Sequence, residues 1–300
     1  MPAQRHPLLD ARWHFQHGPI DLVIGAEGHT AAVAAAHADA WQRFGPVLDE
    51  LVAELPTLRR PVAAAPCPLH GRIARRMWEA CLPLSGQFIT PMAAVAGAVA
   101  QELIACYQRD GIRRAWVNNG GDIALHLAPG QSVRIGVFAD LARLDAQQVM
   151  EGLAIDEQFE VSHSLPVRGV ATSGWRGRSF SLGIADSVTV LARSAAEADA
   201  AATIIANAVN LDDPRILRRP AHELKDNSDL GSIPVTVDVP PLGHAAVQRA
   251  LQAGLQRAEA LQGAGLIWAA LLVCQGQAVS TRSPVPRPAE LGSVLGSVFA

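Results

Sequence analysis

The sequence predicts an α/β (α+β) fold in which mixed β-sheets pack against α-helices, and three observations carry that prediction. Three hundred residues with 49% hydrophobic, 18% charged and 5% aromatic side chains are enough to bury a sizeable core, and they divide into one or two domains. Short β-branched runs alternate with longer alanine-rich segments, sometimes in pairs. Gly and Pro punctuate several of the boundaries. With no internal repeat and no clean linker, residues 1–280 read as a single domain or two intimately packed lobes, and residues 281–300 as a Ser/Pro/Arg-rich, extended tail.

In chain order, Trp13, Phe15, Ile20, Leu22 and Ile24 alternate about a His17-Gly18-Pro19 turn, which predicts a hairpin. Residues 29–58 are rich in Ala, Leu and Val and predict a helix that Gly45-Pro46 breaks or kinks. A second helix is expected over 71–81. Thr90-Pro91 opens a third, with Thr as N-cap and Pro at the first helical position, running to about Arg109 before Asp110-Gly111. Strands are expected over 114–117, 123–127, 132–138, 159–163, 168–173, 179–182 and 187–191. Ser194 to about Asn210 reads as an alanine-rich helix, followed by Pro214 and Pro220. Residues 234–239 predict a short strand, 243–261 a helix and 265–279 a strand or hairpin.

A net charge of −3 gives no general attraction to nucleic acid or an anionic membrane, so neither is expected as a partner. Four separated cysteines suit neither a zinc site nor a disulfide scaffold, and the N-terminus has no apolar stretch of signal-peptide type. A cytoplasmic location is therefore expected. No Walker loop, Gly-x-Ser-x-Gly, His-Glu-x-x-His or post-strand Gly-x-Gly-x-x-Gly occurs.

Chemistry concentrates in three places. On the 194–210 helix, Asp199, Thr203, Asn207 and Asn210 fall within an arc of roughly 80° at about 100° per residue. Such a stripe is either a solvent face or a set of short oxygen donors for a hard cation, and Asp199 and Thr203, one turn apart, can address one ion. Asn118-Asn119-Gly120-Gly121-Asp122 has hairpin chemistry, and equally lets a backbone approach a ligand while Asn and Asp offer directed hydrogen bonds. Thr172-Ser173-Gly174, followed by Arg176 and Arg178, is either a turn with a solvated basic tip or a phosphate receptor. The Thr90-Pro91 helix start offers a second phosphate contact, although its small residues suit close packing equally well.

These segments stand in an order that resembles the FAD:protein FMN transferase (ApbE) superfamily: Thr90-Pro91-Met92-Ala93-Ala94-Val95-Ala96-Gly97, Asn119-Gly120-Gly121-Asp122, Val170-Ala171-Thr172-Ser173-Gly174, and Val188-Thr189-Val190 leading to Asp199 and Thr203. Ile205-Ala206-Asn207-Ala208-Val209 resembles its cytosolic branch in particular. The resemblance implies an ApbE-like flavin transferase fold. It also implies that Asp199, Thr203 and a carbonyl near Val95 hold Mg2+. Thr90, Pro91, Met92, Asn118, Asn119, Gly120, Gly121, Asp122, Thr172, Ser173 and Gly174 would line a pocket for FAD or a related anionic nucleotide.

The chain departs from that family at two points: Ala96-Gly97 stands where the transferases have Lys-Gly, and Arg178–Gly183 contains no His. Losing a positioned acid or base costs about 10²–10⁴ in rate, which counts against flavin transfer as such. The expectation is a protein that binds a small anionic or flavin-nucleotide-like ligand with Mg-assisted phosphoryl-group chemistry, Asp122 and Asp186 being the candidate acid/base carboxylates. Two alternatives stay open: a catalytically degenerate ligand-binding or assembly protein, and an enzyme of unrelated chemistry in the same cleft. A homodimer is open too, since the alanine-rich helices pack equally well within or across subunits.

Overall fold

The protein is described by a computed structural model over residues 2–137, 157–226, 228–281 and 297–298. Its strands are β1 (Gln4–Pro7), β2 (Trp13–His17), β3 (Ile20–Gly28), β4 (Ile112–Asn119), β5 (Asp122–Leu127), β6 (Ser132–Val137), β7 (Glu157–Ser162), β8 (Gly169–Ser173), β9 (Ser187–Ala192), β10 (Leu217–Pro220), β11 (Pro234–Asp238), β12 (Ala269–Cys274), β13 (Gln277–Ser280) and β14 (Ser297–Val298). The helices are α1 (Thr30–Phe44), α2 (Val47–Ala53), α3 (Leu55–Leu58), α4 (Arg72–Cys81), α5 (Val95–Ile104), α6 (Ala195–Ala208), α7 (Ala221–Leu224) and α8 (His244–Gly263).

Nine strands form one sheet in the order β1-β2-β3-β4-β5-β8-β9-β12-β13. Every neighbouring pair in it is antiparallel. Among the described residues the one parallel pairing joins β14 to β6, in a separate three-stranded sheet with β7. The α+β class is thus what forms, built on a large antiparallel sheet.

The period of two along each strand sorts its residues between two layers. Ala115 and Val117 of β4, Ala124 of β5, Ala171 of β8 and Val188 and Val190 of β9 join the main core beneath the helices. Trp116, Ile123, Leu125, Val170 and Leu191 face the other way and pack with Val133, Ile135 and Val161 of the small sheet. Small side chains let α5 and α6 approach closely. A Cβ on Gly97 would come within 2.2 Å of the Ala195 carbonyl oxygen, so glycine is required there.

Several elements differ from expectation for local reasons. Residues 179–182 are loop, because the amide of Leu182 is claimed by the Asn207 side chain at 2.8 Å instead of a strand neighbour. The segment after Thr90 begins as a 3-10 turn, Pro91–Ala94, and becomes α-helical at Val95; the Thr90 side chain does not cap it. Strands β1 and β10 were not expected, since each is four residues long and ends in proline. Phe138 and nearly all of the 281–300 tail lie outside the described residues. Among the described residues no helix is long and apolar enough to cross a membrane.

Candidate functional site

The site forms where β4 turns into β5, because strand parity there aims polar groups at the helix layer. Asn119 and Asp122 share parity with the core residues Val117 and Ala124, so both point toward α5 and α6. Asn119 Nδ2 donates to the Ala96 carbonyl at 3.0 Å, and Asp122 Oδ1 accepts from the Thr172 N–H at 3.2 Å. The turn itself holds its shape through Asn118, whose Oδ1 accepts from the Gly121 N–H at 2.8 Å. Gly120 and Gly121 both have positive φ, which glycine adopts without strain.

Asp199 approaches from α6. Its carboxylate accepts from the Gly97 N–H at 2.9 Å and also from the Ala96 N–H, so it seats on the first amides of α5. An anion at a helix N-terminus is favoured. The amides that open the α-helix thus receive the protein's own carboxylate, while the start expected at Thr90-Pro91 is the 3-10 turn. Burial nevertheless raises the Asp199 carboxyl to about 7, against the opposing pull of those two amides. Asp122 is pushed well above the usual carboxylate range, first by burial and then by the negative charge of Asp199, with the Thr172 N–H opposing. Two acidic groups that disfavour each other's ionisation share the site, a charge state that a cation would relieve.

Around this pair the chain supplies further groups. Thr203, one turn along α6 from Asp199, is partly exposed, and its hydroxyl has no hydrogen-bond partner among the described residues. Val95 is the first α-helical residue of α5. Thr90 is buried and donates from Oγ1 to Asp229 Oδ2, tying the Pro91-Met92 turn to the 228–231 turn. Cys81 lies close enough to Asp199 for that carboxylate to raise its thiol pKa, after the larger effect of burial. Arg178 is exposed and reaches the glycine turn: its Nη1 sits 3.5 Å from where a Cβ on Gly120 would be. Asp229 and Cys81 carried no sequence signal of a role here. Arg178 did, through its place four residues beyond Gly174.

Other candidates are drawn elsewhere. Thr172 has the parity of Val170, so its hydroxyl lies on the opposite face of the sheet and meets Thr189 Oγ1 at 3.0 Å; only its amide reaches Asp122. Ser173 keeps the parity of Ala171, and Gly174 packs against the Asp186 backbone. Asp186 is a brace. Its carboxylate accepts from Trp175 Nε1 at 3.3 Å and from the Gln275 N–H, locking the 174–186 loop to the β12–β13 turn. Asn207 and Asn210 hold the loop at Leu182: Asn207 Oδ1 accepts from its N–H, and Asn210 Nδ2 donates to its carbonyl at 2.8 Å. The four-residue stripe therefore divides, with Asp199 at the site and the two asparagines holding the loop at Leu182. Among the described residues no group of three or more His, Cys, Asp or Glu side chains could hold a metal ion, so the acidic donors here are the two carboxylates.

Residues 3–280 match the family described as AbpE bacteria. A UPF0280 protein of Methanopyrus kandleri is 35% identical over 213 residues, covering 69% of this chain and 78% of the relative. A UPF0280 protein of Methanospirillum hungatei is 36% identical over 132 residues, covering 44% of this chain and 50% of the relative. The chain spans about half the length of that relative and of its counterpart in Methanoregula boonei, for which the share is also 50%. Among solved structures, the apo form of the Pseudomonas stutzeri flavinyl transferase ApbE matches at 14% identity and a TM-score of 0.45, covering 94% of each chain.

Proposed function

Because the chain belongs to the AbpE bacteria family and its motifs resemble those of the ApbE flavin transferases, we propose that the cleft between the 118–122 turn, residues 173–178, the start of α5 and α6 binds a flavin nucleotide or like anion together with Mg2+. The observation that carries this reading is the Asp122–Asp199 pair: burial raises both carboxyls, and the charge of Asp199 raises Asp122 further. The donor set suits the ion: Mg2+ takes oxygen ligands, is commonly held by one or two carboxylates, and fills its remaining positions with water and substrate phosphates. Asp199, Asp122, the Thr203 hydroxyl and a carbonyl at Val95 are the groups that would hold it. When bound, Mg2+ supplies charge neutralisation at phosphate oxygens.

The remaining roles belong to the chain. Arg178 would meet phosphate across the glycine turn, where Gly120 leaves open backbone. Asn119 holds the turn against α5 through the Ala96 carbonyl. Without the ion, burial and the charge of Asp199 push Asp122 toward its protonated form. Asp186, committed to Trp175 and Gln275, keeps the Trp175–Arg178 segment in place and takes no proton-transfer role in this reading.

The test is incubation of metal-free protein with FAD, with and without Mg2+, followed by analysis for FMN and AMP. Mg-dependent products, lost in Asp199→Ala, are expected for phosphoryl-group chemistry. Flavin binding without products identifies a ligand-binding protein on the same scaffold, and failure to bind any flavin nucleotide contradicts the proposal.

A further inference from the structure

A concavity of about 630 Å³ opens beside the N-terminal edge of the sheet, between β1–β3 and α1. That volume lies within the range of small-molecule pockets. It shares no lining residue with the cleft above. Arg113, on its rim, stands six residues before Asn119 on the same strand, so the two sites lie roughly 20 Å apart at opposite ends of β4.

Its lining pairs an apolar wall with three guanidiniums, those of Arg5, Arg12 and Arg113. Trp13, Leu8, Val33 and the alanines of α1 form the wall. Arg5 and Arg113 are exposed at the rim, and neither guanidinium has a hydrogen-bond partner among the described residues. Arg5 is held by aromatic rings, its guanidinium 5.2 Å from the Trp13 centroid and 5.0 Å from that of Trp41. Arg12 adds a third guanidinium, secured to the Leu9 carbonyl and 3.9 Å from exposed Asp10. The acidic side chain on the lining, Glu27, is already paired with Arg114 at 2.8 Å.

One buried polar atom there lacks a partner. His37 is 8% exposed and lines the pocket; its Nδ1 bonds Tyr107 Oη at 2.7 Å, while Nε2 meets no group among the described residues. In the tautomer in which Tyr107 donates to Nδ1, Nε2 carries the ring proton, a donor without an acceptor. An unsatisfied buried donor costs about 1–3 kcal/mol unless a ligand or water meets it. Thr30, at the start of the fifteen-residue α1, also lines the pocket, and no side chain caps that helix end. Its dipole adds to the preference for negative charge.

We infer that this pocket binds a small amphipathic anion, its apolar body against Trp13 and α1 and its carboxylate or phosphate head toward Arg5 and Arg113. The ligand class is set by guanidiniums around an apolar wall, because arginine matches the planar oxygens of both head groups. This site is independent of the flavin reading.

The test is calorimetric titration of the full chain at low salt with 2-naphthoate, 1-naphthyl phosphate and neutral 2-naphthamide. Sub-millimolar binding of at least one anion is expected, with the amide about tenfold weaker or more; the tighter anion identifies the head group. Arg5→Gln and Arg113→Gln, both at exposed positions, should each weaken that anion about threefold or more, with Tm unchanged in Arg113→Gln, which gives up no contact to the aromatic rings. The inference is overturned if neither anion binds below about 1 mM, if the amide binds as tightly, or if both variants keep the wild-type affinity.

Discussion

Asp199 is stabilised by two amides and destabilised by burial, and the balance sets a pH dependence whose sign can be worked out. Its folded pKa of about 7 lies above the ordinary carboxylate value of about 4. The folded state therefore binds more protons than the unfolded state between those values. The contribution is fully present below about 4 and is lost as pH rises toward 7. Asp122 acts in the same direction. In metal-free protein, Asp199→Asn should melt higher than wild type at pH 8, by about 2 °C or more, and the difference should shrink at pH 5. Adding Mg2+ at pH 8 should raise wild-type Tm and leave the variant unmoved. Scanning calorimetry at the two pH values checks both, and a variant less stable than wild type at pH 8 would mean that the amide contacts outweigh burial. At the same scale, Asn207→Ala should release the Leu182 amide and cost about 1–2 kcal/mol without altering Mg2+ affinity, since Asn207 serves the loop. That division of the stripe was not legible in the sequence, where all four residues share one helical arc; what the two asparagines bond lies 25 and 28 residues away in the chain.

At the scale of elements, α5 is fastened on two sides. Gly97 allows contact with the Ala195 carbonyl, so Gly97→Ala should force the helices apart, lower stability by about 1–3 kcal/mol and displace the amide that Asp199 uses. On the outer side Glu102, 3% exposed, accepts from Arg43 Nε at 2.9 Å and Arg76 Nη1 at 2.9 Å. Burial would raise its carboxyl, but those hydrogen bonds win and hold it below its ordinary value. Glu102→Ala takes the carboxylate from Arg76 and leaves Arg43 with Glu50 alone, and should cost about 1–3 kcal/mol in chemical denaturation. Elements whose signal is internal were readable: the β2–β3 hairpin through alternation about Gly18, and the break between α1 and α2 through Gly45-Pro46. Those depending on a distant partner were not. Strand β1 is exposed at all four positions and carries no alternation, and existing as a strand depends on pairing with β2. Thr90 looked like a cap because Thr-Pro is cap chemistry, yet its hydroxyl is taken by Asp229, 139 residues away.

Over the whole molecule, one antiparallel sheet carries the carboxylate pair near one end of β4 and the N-terminal pocket near the other, under a layer of helices whose small side chains permit close approach. The order of motifs from Thr90 to Thr203 was enough to anticipate the family, because the turn residues at strand ends and the Asp-x-x-x-Thr spacing survive in sequence. Strand parity was not legible, and it is parity that turns the Thr172 hydroxyl away and brings Asp122 to Asp199. On the proposed function, this carboxylate pair makes nucleotide binding depend on a divalent cation. Calorimetric titration of FAD into the metal-free chain, repeated with Mg2+, measures it most directly. Mg2+ should tighten FAD binding about tenfold or more in wild type and have little effect in Asp199→Asn; FAD binding that is indifferent to Mg2+, or equally Mg-dependent in the variant, would contradict it.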